Sequence, residues 1–335
     1  MKVFRTLLPR RLSGMEADPL DAMALVEDLA SLSGTIGWVS FVGITGAIFA
    51  MELDAEAAGE IYADPDVLVA YAGVASGVLT RHGDDFTLFG RWDVASGLSH
   101  ARWVAVGCEI ADDEGASNAA VAVLPRMDCD VSFGWDPIGL SGTGTGAIVI
   151  DGVTVAANRV VRERAREADH RHRRRYRLLI PSMMASVSLG VAQAALDDVA
   201  GWLSREPATV ARIRRADSEH VQHLLGRAHA EVRSARAFLR EVTAESWRRA
   251  CLGDDLGLRH GALHRLAATH AATVAVEASS AVEALAGTRA VTRSDPACRR
   301  WIDARTIAAN VTVRDLYYQV YGGVAAGGAI PATWP

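Results

Sequence analysis

The stretch Gly90-Arg91-Trp92-Asp93-Val94-Ala95-Ser96-Gly97 decides how this chain is read. Phe86 to Val94 alternates like a half-buried strand, and Ser96-Gly97 ends it in a turn. A tryptophan, a hydroxyl and nearby backbone N–H groups in that order can flank a planar heterocycle. By itself the octet equally describes a core tryptophan followed by an ordinary turn, and in isolation that plainer reading is favoured.

Outward from it, the same period of two continues through Val67 to Val74, Arg102 to Ile110, Ala119 to Leu124 and Thr145 to Val155. Gly- and Asp-rich clusters separate these runs, a pattern that predicts a small β-barrel or sandwich over residues 67–160. Residues 1–66 are helical in character, with helices predicted over Asp21–Ser31, Thr35–Met51 and Asp54–Tyr62, Asp54 being an N-cap candidate. Gly37 to Ala50 carries no charge on any face, so it is expected to be buried all round or to line a cavity. Residues 161–177 form an Arg-rich linker, with eight arginines between Arg162 and Arg177. Residues 178–335 are again helical, with periodic segments at Ser182–Arg205, Asp217–Leu252, Leu263–Leu285 and Pro296–Gly322, as in a four-helix bundle. Ala192, Ala195, Gly226, Ala230, Ala272 and Ala275 are expected along its seams.

Composition excludes several functions. Of 35 basic residues all but Lys2 are arginine, so there is no internal lysine for a Schiff base and no Gly-Lys-Ser/Thr phosphate loop. A net charge of −5 gives no global field for nucleic acid or an anionic membrane. The longest apolar stretch, Gly37 to Met51, is shorter than the roughly 18 residues of a membrane span. Cys108, Cys129, Cys251 and Cys298 have no metal-site spacing, and no signal peptide is evident, so a cytoplasmic protein is expected. His220 and His223 could share a helix face, but no third ligand is placed, and no metal is expected.

A second glycine-rich stretch, Gly139-Leu140-Ser141-Gly142-Thr143-Gly144-Thr145, precedes a strand and not a helix, so it is no dinucleotide fingerprint. Together with its neighbours it resembles the acyl-CoA dehydrogenase superfamily. The blocks are Phe4 to Gly14 (FRTLLPRRLSG), Ser33 to Trp38, Gly90 to Gly97 with His100-Ala101-Arg102-Trp103, Trp135 to Arg159, and Gly287 to Arg299. They run in order through nearly the whole chain and are most similar to the oxygenase-type branch, the two-component flavin-dependent monooxygenases.

That resemblance implies an N-terminal helical domain, a central β-barrel and a C-terminal four-helix bundle, assembled as a homo-oligomer, a dimer or tetramer. Family members usually carry several dozen residues before the FRTLLP-like segment, so either the start of the sequence is misassigned or a shortened N-terminal domain with a more open active site is expected. It also implies reduced FMN or FAD from a separate flavin reductase, a C4a-hydroperoxide formed with O2, and a small-molecule substrate. Carried onto this sequence, Trp92, Ser96 and Gly97 would contact the isoalloxazine edge, and Ser141, Gly142 and Thr143 would line the same site. Gly287, Thr288 and Arg299 would lie near the flavin tail, Arg299 as a phosphate contact. Trp38, Ser40 and Thr45 would line a mostly apolar substrate pocket.

The late motif departs from the family. With Ile302-Asp303 aligned on its Arg-Asp, Val311 takes the place of the dehydrogenase glutamate and Asn310 that of the oxygenase histidine; in another register Gly322 replaces the glutamate. Asn310 can hydrogen-bond but cannot shuttle a proton near neutral pH. Two alternatives remain open from sequence. One is an acyl-CoA dehydrogenase-like enzyme with its base elsewhere, Glu231, Glu277 and Glu283 being on bundle helices. The other is a diverged scaffold without flavin chemistry.

Overall fold

The computed structural model describes residues 2–111, 118–162, 178–205, 214–254 and 256–328. It divides the chain into two compact units. One comprises Met1–Asp18, Val39–Asp136 and Ser141–Arg177; the other comprises Pro19–Trp38, Pro137–Leu140 and Leu178–Pro335. The N-terminal helices therefore do not stand alone, because α1 (Pro19–Leu32) and the start of α2 (Gly34–Gly46) belong to the C-terminal helical unit. The Arg-rich segment 163–177 lies outside the described residues.

The first unit is built on a seven-stranded mixed sheet: β1 (Val69–His82), β2 (Asp85–Ala95), β3 (Trp103–Ile110), β4 (Ala119–Pro125), β5 (Asp130–Ser132), β6 (Gly146–Val155) and β7 (Val160–Arg162). Their order is β5-β6-β2-β1-β3-β4-β7, antiparallel except where β1 meets β3. The expected barrel or sandwich is thus one sheet, in which a register shift between Ala72 and Gly77 interrupts β1. One face carries a core of Val69, Ala105, Val121, Val123 and Val161 against α3 (Ala55–Ile61) through Ala57, Ala58 and Ile61. Asp54 caps α3, accepting from the Ala57 N–H at 2.8 Å.

The second unit packs α1 with α4 (Leu179–Arg205), α5 (Glu219–Cys251), α6 (Gly257–Ala286), α7 (Pro296–Ala308) and α8 (Leu316–Ala325). Helix α4 is long and apolar enough to cross a membrane by length and composition alone, but 89% of its apolar window is buried among the other helices. At Gly190 a Cβ would lie 2.2 Å from the Glu27 carbonyl oxygen, so glycine lets α1 and α4 touch. Two ion pairs, Arg236–Glu27 and Arg300–Asp198, each at 2.6 Å, tie α5 to α1 and α7 to α4. Ala192, Ala195, Ala272 and Ala275 are buried as the seam reading expects. Gly226 and Ala230 are exposed; the buried stripe of α5 runs instead through Val221, Ala228, Val232, Ala235, Leu239 and Val242.

The fourth bundle helix is not continuous. Helix α7 stops at Ala308, a short 3-10 turn spans Val311–Val313, and α8 begins at Leu316. The break needs no proline or glycine. The extended Asn310 caps the new turn by accepting from the Thr312 N–H at 2.9 Å, and the β-branched run Val311-Thr312-Val313 is a weak helix former.

Candidate flavin site

In the first unit the octet does two jobs. Trp92 is buried to 2% exposure, with its ring over Gly77 and Gly90, where a Cβ on either would come within 2.5 Å of it. Its indole N–H donates to the carbonyls of Val74 at 3.0 Å and Gly107 at 2.9 Å. Val74 lies inside the register shift of β1, where ladder pairing is interrupted, and Trp92 supplies the missing donor. Trp92 is thus held by the sheet through both its ring and its N–H, the packing that the plainer reading of the octet expects. Trp92→Phe keeps most of the ring but leaves both carbonyls without that donor; unfolding free energy from urea titration is expected to fall by about 1–3 kcal/mol.

Ser96 and Gly97 sit differently. Ser96 Oγ is 2.8 Å from Thr145 Oγ1, which is itself 2.8 Å from Thr143 Oγ1, forming a run of three hydroxyls. Gly97 has φ +82° and donates its N–H to the Thr143 carbonyl at 2.9 Å. A non-glycine residue would be strained there. Gly144, with φ +58°, lets Ser99 approach so closely that a Cβ would collide with its hydroxyl. Thus the two sequence stretches are laced into one polar corner. Ser141 and Gly142 begin its short 3-10 turn and are exposed, whereas Thr143 is buried. Thr145 belongs to this corner although the resemblance assigned it no flavin role; its signal was a hydroxyl closing the glycine-rich stretch, immediately before the strand that begins at Gly146. Neutral donors and acceptors of this kind suit the amide-like edge of a flavin, which needs hydrogen bonds and no counter-charge.

Trp38, Ser40 and Thr45, which the resemblance assigns to a substrate pocket, are all buried on α2. Thr45 donates its hydroxyl back to the helix carbonyls of Phe41 and Val42. Burial pushes the Cys108 and Cys129 thiols up to about 12, which removes them as nucleophiles near neutral pH.

In the second unit Gly287, Thr288 and Arg289 form an exposed turn after α6, and Gly287 has φ +58° with open space beside it. Arg299, on α7, is exposed. These residues fit an anionic tail by charge and by access to backbone. Asn310 is half-buried and holds its own turn, as described above. Asp303, noted from sequence only as a register mark, accepts from the Leu140 N–H at 2.7 Å. Burial raises its carboxyl above the usual range, against the lowering effects of that bond and of Arg300 and Arg299.

Comparison with known proteins agrees with this architecture. The family described as acyl-CoA dehydrogenase, C-terminal domain, matches residues 182–314. The indole-3-acetate monooxygenase of Pseudomonas putida is 30% identical over 328 residues, covering 97% of this chain and 84% of that protein. The flavin-dependent monooxygenase, oxygenase subunit HsaA, of Rhodococcus jostii is 31% identical over 164 residues, covering 47% of this chain and 42% of its own. Among solved structures, XiaF from Streptomyces in complex with FADH2 and glycerol aligns over 100% of this chain and 87% of its own, with a TM-score of 0.89 and 21% identity. The fold, the order of its blocks and these relatives together establish that the chain belongs to the acyl-CoA dehydrogenase superfamily, in the branch of flavin-dependent monooxygenase oxygenase components.

Proposed function

We propose that the chain is the oxygenase component of a two-component monooxygenase, using reduced FMN or FAD delivered by a separate reductase to oxygenate a small aromatic substrate. Reduced flavin supplies the electrons that activate O2. Ser96, Thr143 and Thr145 would bind and orient its ring edge, with Gly97 shaping that corner, and the resemblance assigns Gly287, Thr288 and Arg299 to its anionic tail. The aromatic substrate class is supported by the names of the full-length relatives. A homo-oligomer in the cytoplasm fits the same reading.

The observation that carries oxygenation over dehydrogenation is the loop between α7 and α8. Dehydrogenation of an acyl thioester needs a carboxylate base. Val311 stands where the Ile302-Asp303 register places the dehydrogenase glutamate and Gly322 where the other register does, Asn310 takes the place of the oxygenase histidine in the first, and Asp303 is engaged with the Leu140 N–H. Glu231 is paired with Arg227 at 2.7 Å on the bundle surface. Anaerobic titration with reduced FMN and reduced FAD is expected to show binding on the order of micromolar Kd. Oxygen uptake coupled to product formation is expected when a reductase feeds the chain. Failure of both reduced flavins to bind overturns the proposal; bleaching of a tightly held oxidised flavin by an acyl-CoA would replace it with dehydrogenation.

A further inference from the structure

The segment Pro137–Leu140 packs on α7 within the helical unit, and its geometry is over-determined. Leu140 has φ +55°, a left-handed conformation that a leucine adopts only when its surroundings hold it there. The Asp303 carboxylate does this holding from one side, with Oδ1 2.7 Å from the Leu140 nitrogen. Its other oxygen fits only because position 34 is glycine: a Cβ there would lie 2.6 Å from Oδ2. Gly139 is equally constrained, since a Cβ would stand 2.5 Å from Thr306 Oγ1 and 2.8 Å from the Ile302 carbonyl. Three residues of one helix face, Ile302, Asp303 and Thr306, therefore fix two successive peptides. The next residues in the chain are Ser141, Gly142 and Thr143, the turn that ends in the hydroxyl run with Thr145 and Ser96.

We propose that Asp303 is a positioning residue for the flavin-site turn, clamping left-handed Leu140 and so fixing the entry to Ser141–Thr143. The inference rests on the flavin reading for its consequence but not for its geometry. It explains why the aspartate stands at this position although Ile302 has replaced the arginine beside it: the acceptor serves a peptide N–H and not the neighbouring side chain.

The test uses Asp303→Ala, Asp303→Ser and Asp303→Asn in the full chain. Amide hydrogen exchange is followed at Leu140–Thr143 relative to Ala267–Ala272 in the same sample, which separates local opening from a general loss of stability. Alanine removes the acceptor and serine is too short to reach, so local exchange is expected to rise about tenfold in both; either variant suffices if the other does not fold. Asparagine can still present an oxygen and is expected to stay within about threefold of wild type. Reduced-flavin titration of the same proteins is expected to show weaker binding for alanine and serine, with near-native binding for asparagine. Unchanged local exchange in the alanine and serine proteins overturns the clamp, as does an asparagine protein that opens as far as they do. If the wild-type chain binds no reduced flavin, the flavin reading fails, while the exchange ratio still decides the clamp.

Discussion

Arg5→Met is expected to lower the unfolding free energy by about 3–5 kcal/mol, a large fraction of the 5–15 kcal/mol typical of a domain. Arg5 is 3% exposed and has no carboxylate partner among the described residues. Its guanidinium instead donates to four backbone carbonyls: Nε to Pro65 at 2.9 Å, Nη1 to Leu12 at 2.6 Å, and Nη2 to Tyr62 and Asp64, both at 2.7 Å. These oxygens terminate α3 and close the N-terminal 3-10 turns, so one side chain staples two segments some 60 residues apart. Methionine fills the stem's volume and leaves the carbonyls buried without donors. Arg5→Lys is expected to recover little of the loss, because a compact ammonium cannot span a fan of acceptors suited to a planar five-donor fork. Urea unfolding followed by tryptophan fluorescence decides it; a lysine variant within about 1 kcal/mol of wild type would show that charge and not the fork matters.

The architecture was legible because strands and helices leave periodic marks. Five of the seven strands follow from alternation alone, and Asp54 announced its own cap. The second half of β1, from Ala75 to His82, escaped because most of its residues face solvent and its Ser-Gly pair reads as a turn. Strands β5 and β7 are three residues each, too short for any period. The break after Ala308 was hidden since it depends on a side-chain cap in a sequence without glycine or proline. In the candidate site the hydroxyl stretches were visible as composition, but their lacing was not, because Ser96 and Thr145 are 49 positions apart and meet only through the pairing of β2 with β6. The same limit hides Arg5, whose partners are all backbone oxygens, and Asp303, whose partner is 163 positions away. Trp92 meets the same limit: the two carbonyls that claim its N–H belong to strands β1 and β3 and carry no sequence signal.

His264 is expected to make the bundle acid-labile by a mechanism that can be isolated. The ring is 3% exposed on α6, with Nε2 2.6 Å from Ser182 Oγ on α4 and Nδ1 3.1 Å from Ser246 Oγ on α5. Ser182 continues to Thr243 at 2.8 Å, and Ser246 to His260 at 2.9 Å. A neutral imidazole, donating at one nitrogen and accepting at the other, suits two hydroxyl neighbours. Burial drives its pKa from the ordinary 6.5 down to about 3, with Arg265 and His260 pushing the same way. His260 is itself lowered, by desolvation first and by Arg249, against a raising effect of Glu245. Because the folded value lies below the unfolded one, the unfolded chain takes up the proton first as pH falls. The stability this contributes is complete above pH 6.5 and is lost progressively down to about pH 3, at about 1.4 kcal/mol per pH unit and on the order of 4–5 kcal/mol in all. His264→Gln presents an amide that can bond the same hydroxyls and never titrates. Its stability at neutral pH is expected to be lower than wild type, but its decline between pH 6 and pH 4 should be shallower by about 1 kcal/mol per unit. Carboxylates titrate alike in both proteins, so the difference between the two curves reports this ring; parallel curves would mean that His264 takes its proton inside the folded bundle.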